Sequence, residues 1–525
     1  MRSFPGSPAR SRKELSNREK VTTSPPKAEH ISKSIRPADS DAVRSELPPS
    51  PVTSSPTRNS HGRIIGTLVI GSLLSSLYLL FVVHYSINAL FWDEWNLVPM
   101  IHATLHSNLT FSMLWAQHNE NRMLVPNLLI AGSALVHNYN SKVTILIGAG
   151  FFVSSYVLFL GALRAYLGRS ITALHAFVFG ILWFSLEDTE NSLWGFQLAW
   201  YMIVFFLLVV AFALAQQRRH QNVVFAVAAL AAIAASFSSL QGLILWPIGL
   251  IYLIWDRPRT RRSYSEIGIW LLLSCLTAAL YFRDFNFKAT GGGGSPSFAL
   301  HHPVGMLKFF LAALGNVIPT TNVDLRMHEI VGLVLSVAAV FVVVSSFRER
   351  RFRNRRPLPL TLIAFGVLFD GSIALGRLGF GIPDALSTRY TMVNLLVIIG
   401  IGAFAWDHIR AVRTTRGHVR RISTARRVSF ALLAACVILQ FATGTTFGII
   451  SARSIRANRI IDARIVVNLD KIPSADQQQM VASYVYPTVA ALSPFLHDVR
   501  IDHLSVFAPG PYKFYRSKGP PLPLQ

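Results

Sequence analysis

The chain has 525 residues, of which 51% are hydrophobic and 14% charged, and its mean hydropathy is +0.41. A soluble chain would carry about 25% charged residues, so a soluble globular enzyme is excluded. The net charge of +24 would suit nucleic acid, but the arginines sit in short loops between apolar runs. That placement is the positive-inside pattern of a membrane protein, and no nucleic-acid partner is expected. The only two cysteines, Cys275 and Cys436, fall inside apolar runs, which leaves no disulfide framework and no cysteine metal knuckle.

Residues 1–63 are rich in Ser, Pro, Arg and Lys and poor in aromatics. They lack the apolar surface needed to fold and are expected to form a disordered, basic cytoplasmic tail. The first apolar run starts too far in to be a cleavable signal peptide. It predicts a spanning helix over 64–85, because about 20 apolar residues cross a hydrocarbon core as helix. Further crossings are expected at 143–163, 172–187, 193–215, 222–237, 240–255, 266–282, 328–347, 358–376, 390–406 and 428–450. The fold class is therefore an all-α polytopic membrane protein with about eleven transmembrane helices. A β-barrel would show short alternating segments instead.

The loop charges orient this scheme. Arg164 to Arg169, Arg218-Arg219, Arg257 to Arg262, Arg348 to Arg356 and Arg410 to Arg427 fall on one side, which the positive-inside rule makes cytoplasmic. The N-terminus is then inside and the C-terminus outside. Two apolar pieces, 123–137 with Pro126 and 305–320, fit only as juxtamembrane or re-entrant helices. A flexible segment, Gly291 to Gly294, reads as a lid or as a plain loop. Residues 64–450 form the membrane domain, and 451–525 a small extracytoplasmic appendage.

Four polar clusters fall on the same expected outer face. The first, Phe91-Trp92-Asp93-Glu94-Trp95-Asn96, follows the first spanning helix. An ionised carboxylate at a membrane boundary costs desolvation and is rarely there without a reason. Partial burial raises its pKa and suits it to general-base work. Trp92 and Trp95 could stack on a sugar ring. An ordinary interfacial loop with belt aromatics accounts for the same residues.

The second cluster is His118-Asn119-Glu120-Asn121-Arg122. As a helix it would put His118 and Arg122 on one face, able to grip a phosphate. A self-paired polar helix start is the plainer alternative. The third, Glu187 to Asn191 and then Trp194-Gly195-Phe196-Gln197, offers Trp194 and Gln197 to a cleft or to packing. The fourth, Gly376-Arg377-Leu378-Gly379-Phe380-Gly381 with Ser387, Arg389 and Tyr390, brackets a glycine-rich loop with two arginines. Such a loop allows close approach of backbone to a ligand, and the arginines could neutralise a phosphate. Asp370 lies inside the preceding helix, where an acid is a functional candidate or a structural partner. No nucleotide-binding, zinc-protease or serine-hydrolase motif occurs.

An acidic pair after the first transmembrane helix, followed by the three other clusters in this order and some ten further helices, resembles the GT-C superfamily of integral membrane glycosyltransferases. The narrower likeness is to a bacterial multi-pass group of that type, over residues 64–450. The resemblance implies transfer of a sugar from a polyprenyl-phosphate-linked donor to a glycan or lipid acceptor on the non-cytoplasmic face of a bacterial inner (plasma) membrane. It makes Asp93 the first candidate base, with Glu94 as alternative. It has Arg122, Arg377 or Arg389 stabilise the lipid phosphate. Trp92, Trp95, His118, Glu120, Asn121, Trp194, Gln197 and Tyr390 would bind substrate. No metal ligands are assigned and no cofactor is required, with a divalent cation left open. Membrane lipids are the other expected partner. The small 451–525 segment departs from relatives that carry a sizeable outer domain. Rival readings are a transporter or flippase of a lipid-linked or anionic substrate, and a non-enzymatic assembly protein.

Overall fold

The computed structural model describes residues 59–521, apart from 169–170, 217–220, 256–259, 288–295, 320–323, 350–354 and 415–423. Residues 1–58 of the expected tail over 1–63, the Gly291 to Gly294 segment and much of the arginine loops lie outside the described residues, while 59–63 already belong to the first helix.

The chain begins with α1 (Asn59–Tyr85), a 3₁₀ turn (Trp92–Leu97), α2 (Val98–Leu105) and α3 (Phe111–Trp115). A two-stranded antiparallel hairpin follows, β1 (Gln117–His118) with β2 (Asn121–Arg122), pairing Gln117 with Arg122 and His118 with Asn121. Next come α4 (Leu124–His137), α5 (Ser141–Leu167), α6 (Ala173–Trp183), α7 (Thr189–Leu193) and α8 (Leu198–Ala215). Then follow α9 (Gln221–Ser236), α10 (Leu245–Trp255), α11 (Arg261–Phe282), α12 (Pro296–His301), α13 (Pro303–Leu314) and α14 (Leu325–Arg348). The chain finishes with α15 (Leu358–Arg377), α16 (Thr391–Thr414), α17 (Thr424–Val467), α18 (Ser474–Tyr484), α19 (Val489–Ile501) and α20 (Pro509–Lys518).

Among the described residues, eight helical segments are long and apolar enough to cross a membrane: Gly62–Tyr85, Ser141–Leu167, Gly195–Ala215, Arg261–Phe282, Leu325–Arg348, Leu358–Phe380, Thr388–His408 and Ala434–Val467. The protein is thus all-α and polytopic. Three expected crossings, at 172–187, 222–237 and 240–255, form shorter helices, Ala173–Trp183, Gln221–Ser236 and Leu240–Trp255. Polar breaks at Ser185 to Asp188 and Ser236 to Ser239 cap their lengths, and these residues are buried. The pieces 123–137 and 305–320 are short helices, Leu124–His137 and Pro303–Leu314.

One large core joins α5, α6, α8, α9, α10, α15 and α16, rich in Leu, Ala and aromatic side chains. Between apolar helices in lipid there is little hydrophobic gain, so close packing through small residues does the work. Gly315, which caps α13, and Gly332 of α14 meet backbone to backbone, where an added Cβ would collide with His328 O or Leu311 O.

A second core lies beyond the ends of α1 and α17. Leu90, Trp95, Val98, Ile101 and Tyr139 pack there against Val467, Val481, Leu492, Val499 and Phe507. The last segment is therefore no appendage. It shares a core with the loop after α1, and α17 runs unbroken past the expected membrane exit to Val467. The apolar residues of 467–507 come from short, mixed-polarity helices, so their common partner is invisible to local pattern.

Candidate functional site

The site begins at a tight turn. Phe91 is extended (φ −140, ψ 132), and Trp92 takes the left-handed region at φ 44, a costly conformation for a side chain this large. The turn closes reciprocally. Glu94 N–H donates to Phe91 O at 3.0 Å, and Phe91 N–H donates to Glu94 Oε2 at 3.0 Å. This leaves Glu94 1% exposed, with its other oxygen, Oε1, lacking a hydrogen-bond partner among the described residues.

Gly195 makes room for that oxygen. A Cβ there would stand 2.5 Å from Glu94 Oε1 and 3.3 Å from Thr144 Cβ. Buried Tyr139 borders the same carboxyl and Thr144, its hydroxyl short of good hydrogen-bond geometry with either. Burial pushes the Glu94 carboxyl up to about 7; the Arg459 charge and the Phe91 N–H oppose that rise. Its own burial, and next the Glu94 charge, push Tyr139 well above the usual tyrosine range.

Asp93 has a different setting. Its side chain keeps 31% of its accessibility, and Oδ1 lies 3.4 Å from His118 Nε2. The His118 ring packs 4.9 Å from that of Phe196. Three sequence clusters therefore meet at these two acids.

Beside them lies a cavity of about 270 Å³, lined by Phe91, Trp92, Glu190, Trp194, Arg459 and Tyr484 among others. Arg459 comes from α17. Its guanidinium stacks 3.1 Å over the Phe91 ring and pairs with Asp462 at 3.2 Å. Sequence reasoning missed Arg459. The available signal was Arg453, Arg456 and Arg459 at three-residue spacing, which marks a helix continuing past the apolar run.

Glu190 connects this cavity to the fourth cluster. Its Oε2 accepts from Ser387 Oγ at 2.7 Å and lies 3.9 Å from Arg389 Nε. Arg389 in turn stands 3.5 Å from Asp384, and Tyr390 O–H donates to Asp384 at 3.4 Å. Arg377 pairs with Glu120 at 3.0 Å. Neighbouring acids are deeper. Asp188 accepts from Tyr201 at 3.0 Å and Asn191 at 2.6 Å, and burial raises its carboxyl well above the usual range. Glu187 is pushed up to about 8 by burial.

Other expected ligand residues are committed elsewhere. The His118 to Arg122 stretch is a hairpin rather than a helix, since positive φ at Asn119 makes the turn. Arg122 is 4% exposed. Its Nε donates to Tyr281 O at 2.7 Å and Nη1 to Trp115 O at 3.1 Å, while Nη2 donates to Arg283 O. Asn121 Oδ1 accepts from Ser239 Oγ at 2.9 Å and Leu240 N–H at 3.0 Å. Trp95 is 1% exposed and sits in the second core, and Gln197 is buried. Trp92 and Trp194 do face the cavity.

Chemically, this end of the bundle offers an accessible carboxylate with an imidazole partner and a buried carboxyl poised near neutrality. Beside these stand an arginine and a glutamate in an aromatic-lined cavity. Among the described residues, the one group of three donors close enough to share a metal ion, His102, His106 and Asp502, is not part of the cavity lining. No protein-family model matches the chain, and no curated protein matches its sequence.

Proposed function

We propose that the protein is a membrane glycosyltransferase of GT-C type. It would transfer a sugar from a polyprenyl-phosphate-linked donor to a glycan or lipid acceptor at the non-cytoplasmic face. The observation that carries this reading is the acid pair in the loop after the first spanning helix, set beside a cavity with aromatic walls and a partly buried arginine. Aromatic faces suit sugar rings, and an arginine suits a departing phosphate.

In this reading the acceptor hydroxyl gives its proton to Asp93 as its oxygen bonds to the anomeric carbon. The bond from that carbon to the lipid phosphate breaks, and the phosphate leaves with the electron pair. Asp93 is favoured over Glu94 because it is the accessible acid and has His118 to receive or steady the proton. Glu94 is enclosed and acts as a positioning residue that fixes the turn. Arg459, with Arg389 behind Glu190, would offset the phosphate charge.

The test is release of polyprenyl phosphate in proteoliposomes from a panel of polyprenyl-phosphate hexoses and pentoses with mixed acceptors. Asp93→Asn, inserted at wild-type level, is expected to cut release about 100-fold, the typical worth of a general base. Full activity in Asp93→Asn would sink the assignment. One observation favours a second reading, a transporter or flippase. Asp370 is fully buried within α15, and both its carboxylate oxygens lack a hydrogen-bond partner among the described residues. Lipid-linked substrate movement lost in Asp370→Asn, without any bond cleavage in the wild type, would establish that alternative.

A further inference from the structure

A second constellation stands apart from the cavity. The helix α2 starts directly after the acid-bearing turn. Its last turn carries His102, and His106 is its capping residue. Four-residue spacing puts both imidazoles on one face, with ring centroids 4.4 Å apart. Asp502, which caps α19, faces both. His102 Nδ1 lies 2.7 Å from one of its oxygens, and His106 Nε2 lies 2.8 Å from the other. The Asp502 side chain is 5% exposed, whereas His106 is open to solvent at 47%.

We propose that His102, His106 and Asp502 form a binding site for a divalent transition metal, zinc above all. A carboxylate only accepts hydrogen bonds. Two imidazoles can therefore share it as two N–H donors, or all three groups can turn lone pairs toward one cation. The donor atoms lie within 4.8 Å of one another. A tetrahedral zinc with ligand bonds of about 2.0–2.1 Å needs them roughly 3.3 Å apart, so the 2.7 and 2.8 Å pairs open slightly and the widest pair closes by up to about 1.5 Å to seat the ion. Two nitrogens and one oxygen match zinc and its neighbours rather than calcium or magnesium, which take oxygen shells. The exposed edge at His106 leaves the fourth position to water.

The site's place in the fold suggests what it does. It joins the loop after α1 to the C-terminal segment across the second core. Asp502 leads into a turn with positive φ at His503 and Ser505. Ser505 N–H donates to Tyr139 O at 3.3 Å, and Asn88 Nδ2 donates to Ser505 O at 3.2 Å. Tyr139 borders Glu94. A metal here clamps α2 to the 502–505 turn and steadies the wall behind the acid pair. The clamp does not depend on the reaction assigned to those acids.

The test uses the full-length protein, purified through a histidine-free tag, stripped with EDTA and titrated with zinc sulfate in detergent. About one equivalent is expected to bind saturably and raise the unfolding temperature. His106→Ala, exposed enough to fold normally, is expected to weaken binding at least tenfold, the lower end of metal-site losses, and to abolish the thermal gain. His102→Ala should do the same. Cobalt loading of the wild type should give the intense visible absorption of a tetrahedral ion, and the variants should lack it. A simple hydrogen-bonded His–Asp cluster predicts no saturable binding. That result, or binding unchanged in both histidine variants, would overturn the proposal.

Discussion

The turn at Trp92–Leu97 and the hairpin at Gln117–Arg122 both look like polar clusters of charged and amide residues beside a membrane span, yet the fold uses them in opposite ways. The hairpin spends its polar groups. Arg122 gives its guanidinium to three backbone carbonyls, Asn121 accepts at the start of the 240–244 turn, and Glu120 pairs with Arg377. The turn keeps groups in reserve. Glu94 Oε1 has no partner among the described residues, and Asp93 stays accessible beside His118. Saturated hydrogen bonding marks a structural role, because a buried arginine is tolerable only when its donors are met. Unspent polar atoms next to a cavity mark a place where a ligand can complete the set.

Three measurements break or sharpen this contrast. Arg122→Ala should have the largest effect. It strands the carbonyls of Tyr281, Trp115 and Arg283, at about 1–3 kcal/mol for each buried group, so a loss of about 3 kcal/mol or more is expected by thermal or denaturant unfolding in detergent. Normal stability with lost ligand binding would instead move the hairpin to the functional side.

Gly195→Ala should come next. The added Cβ meets Glu94 Oε1 at 2.5 Å, and overpacking of this kind costs about 1–3 kcal/mol. The Glu94 carboxyl must move, so activity should fall more than stability does. Glu94→Ala in the same background should relieve the clash and recover the unfolding temperature. No recovery would show that the glycine serves some other contact.

The smallest expected effect concerns pH. Burial lifts Glu94 from an ordinary 4.5 to about 7. The folded state therefore holds a proton that the unfolded chain releases between those values, and stability falls as pH rises from about 4.5 to about 7. Glu94→Gln removes that share, so its unfolding temperature should decline less than that of wild type across the same window. Parallel curves would mean that Glu94 is hydrated and not enclosed.

Much of the architecture was legible in the sequence. Runs such as Leu198–Ala215 and Leu325–Arg348 announce themselves, since hydropathy and helix length are local properties. The four polar clusters were also legible, and the structure sets His118 beside Asp93 and Phe196, joins Glu190 to Ser387 and Arg389, and pairs Arg377 with Glu120. The four-residue spacing of His118 and Arg122 suits a helix and does not reveal the hairpin turn at Asn119. His102 and His106 carried no signal in the sequence, because Asp502, which gives the pair meaning, caps a distant helix.

By itself, then, the sequence determined an all-α polytopic chain with an acidic turn after its first span. The tertiary structure decided which polar groups are used up and which are free. It buried Glu94 against Gly195, left Asp93 accessible, exhausted Arg122 and brought Arg459 across from α17. The reason is physical. Burial and hydrogen-bond satisfaction depend on what the rest of the chain brings to a position, and no window of neighbouring residues contains that information.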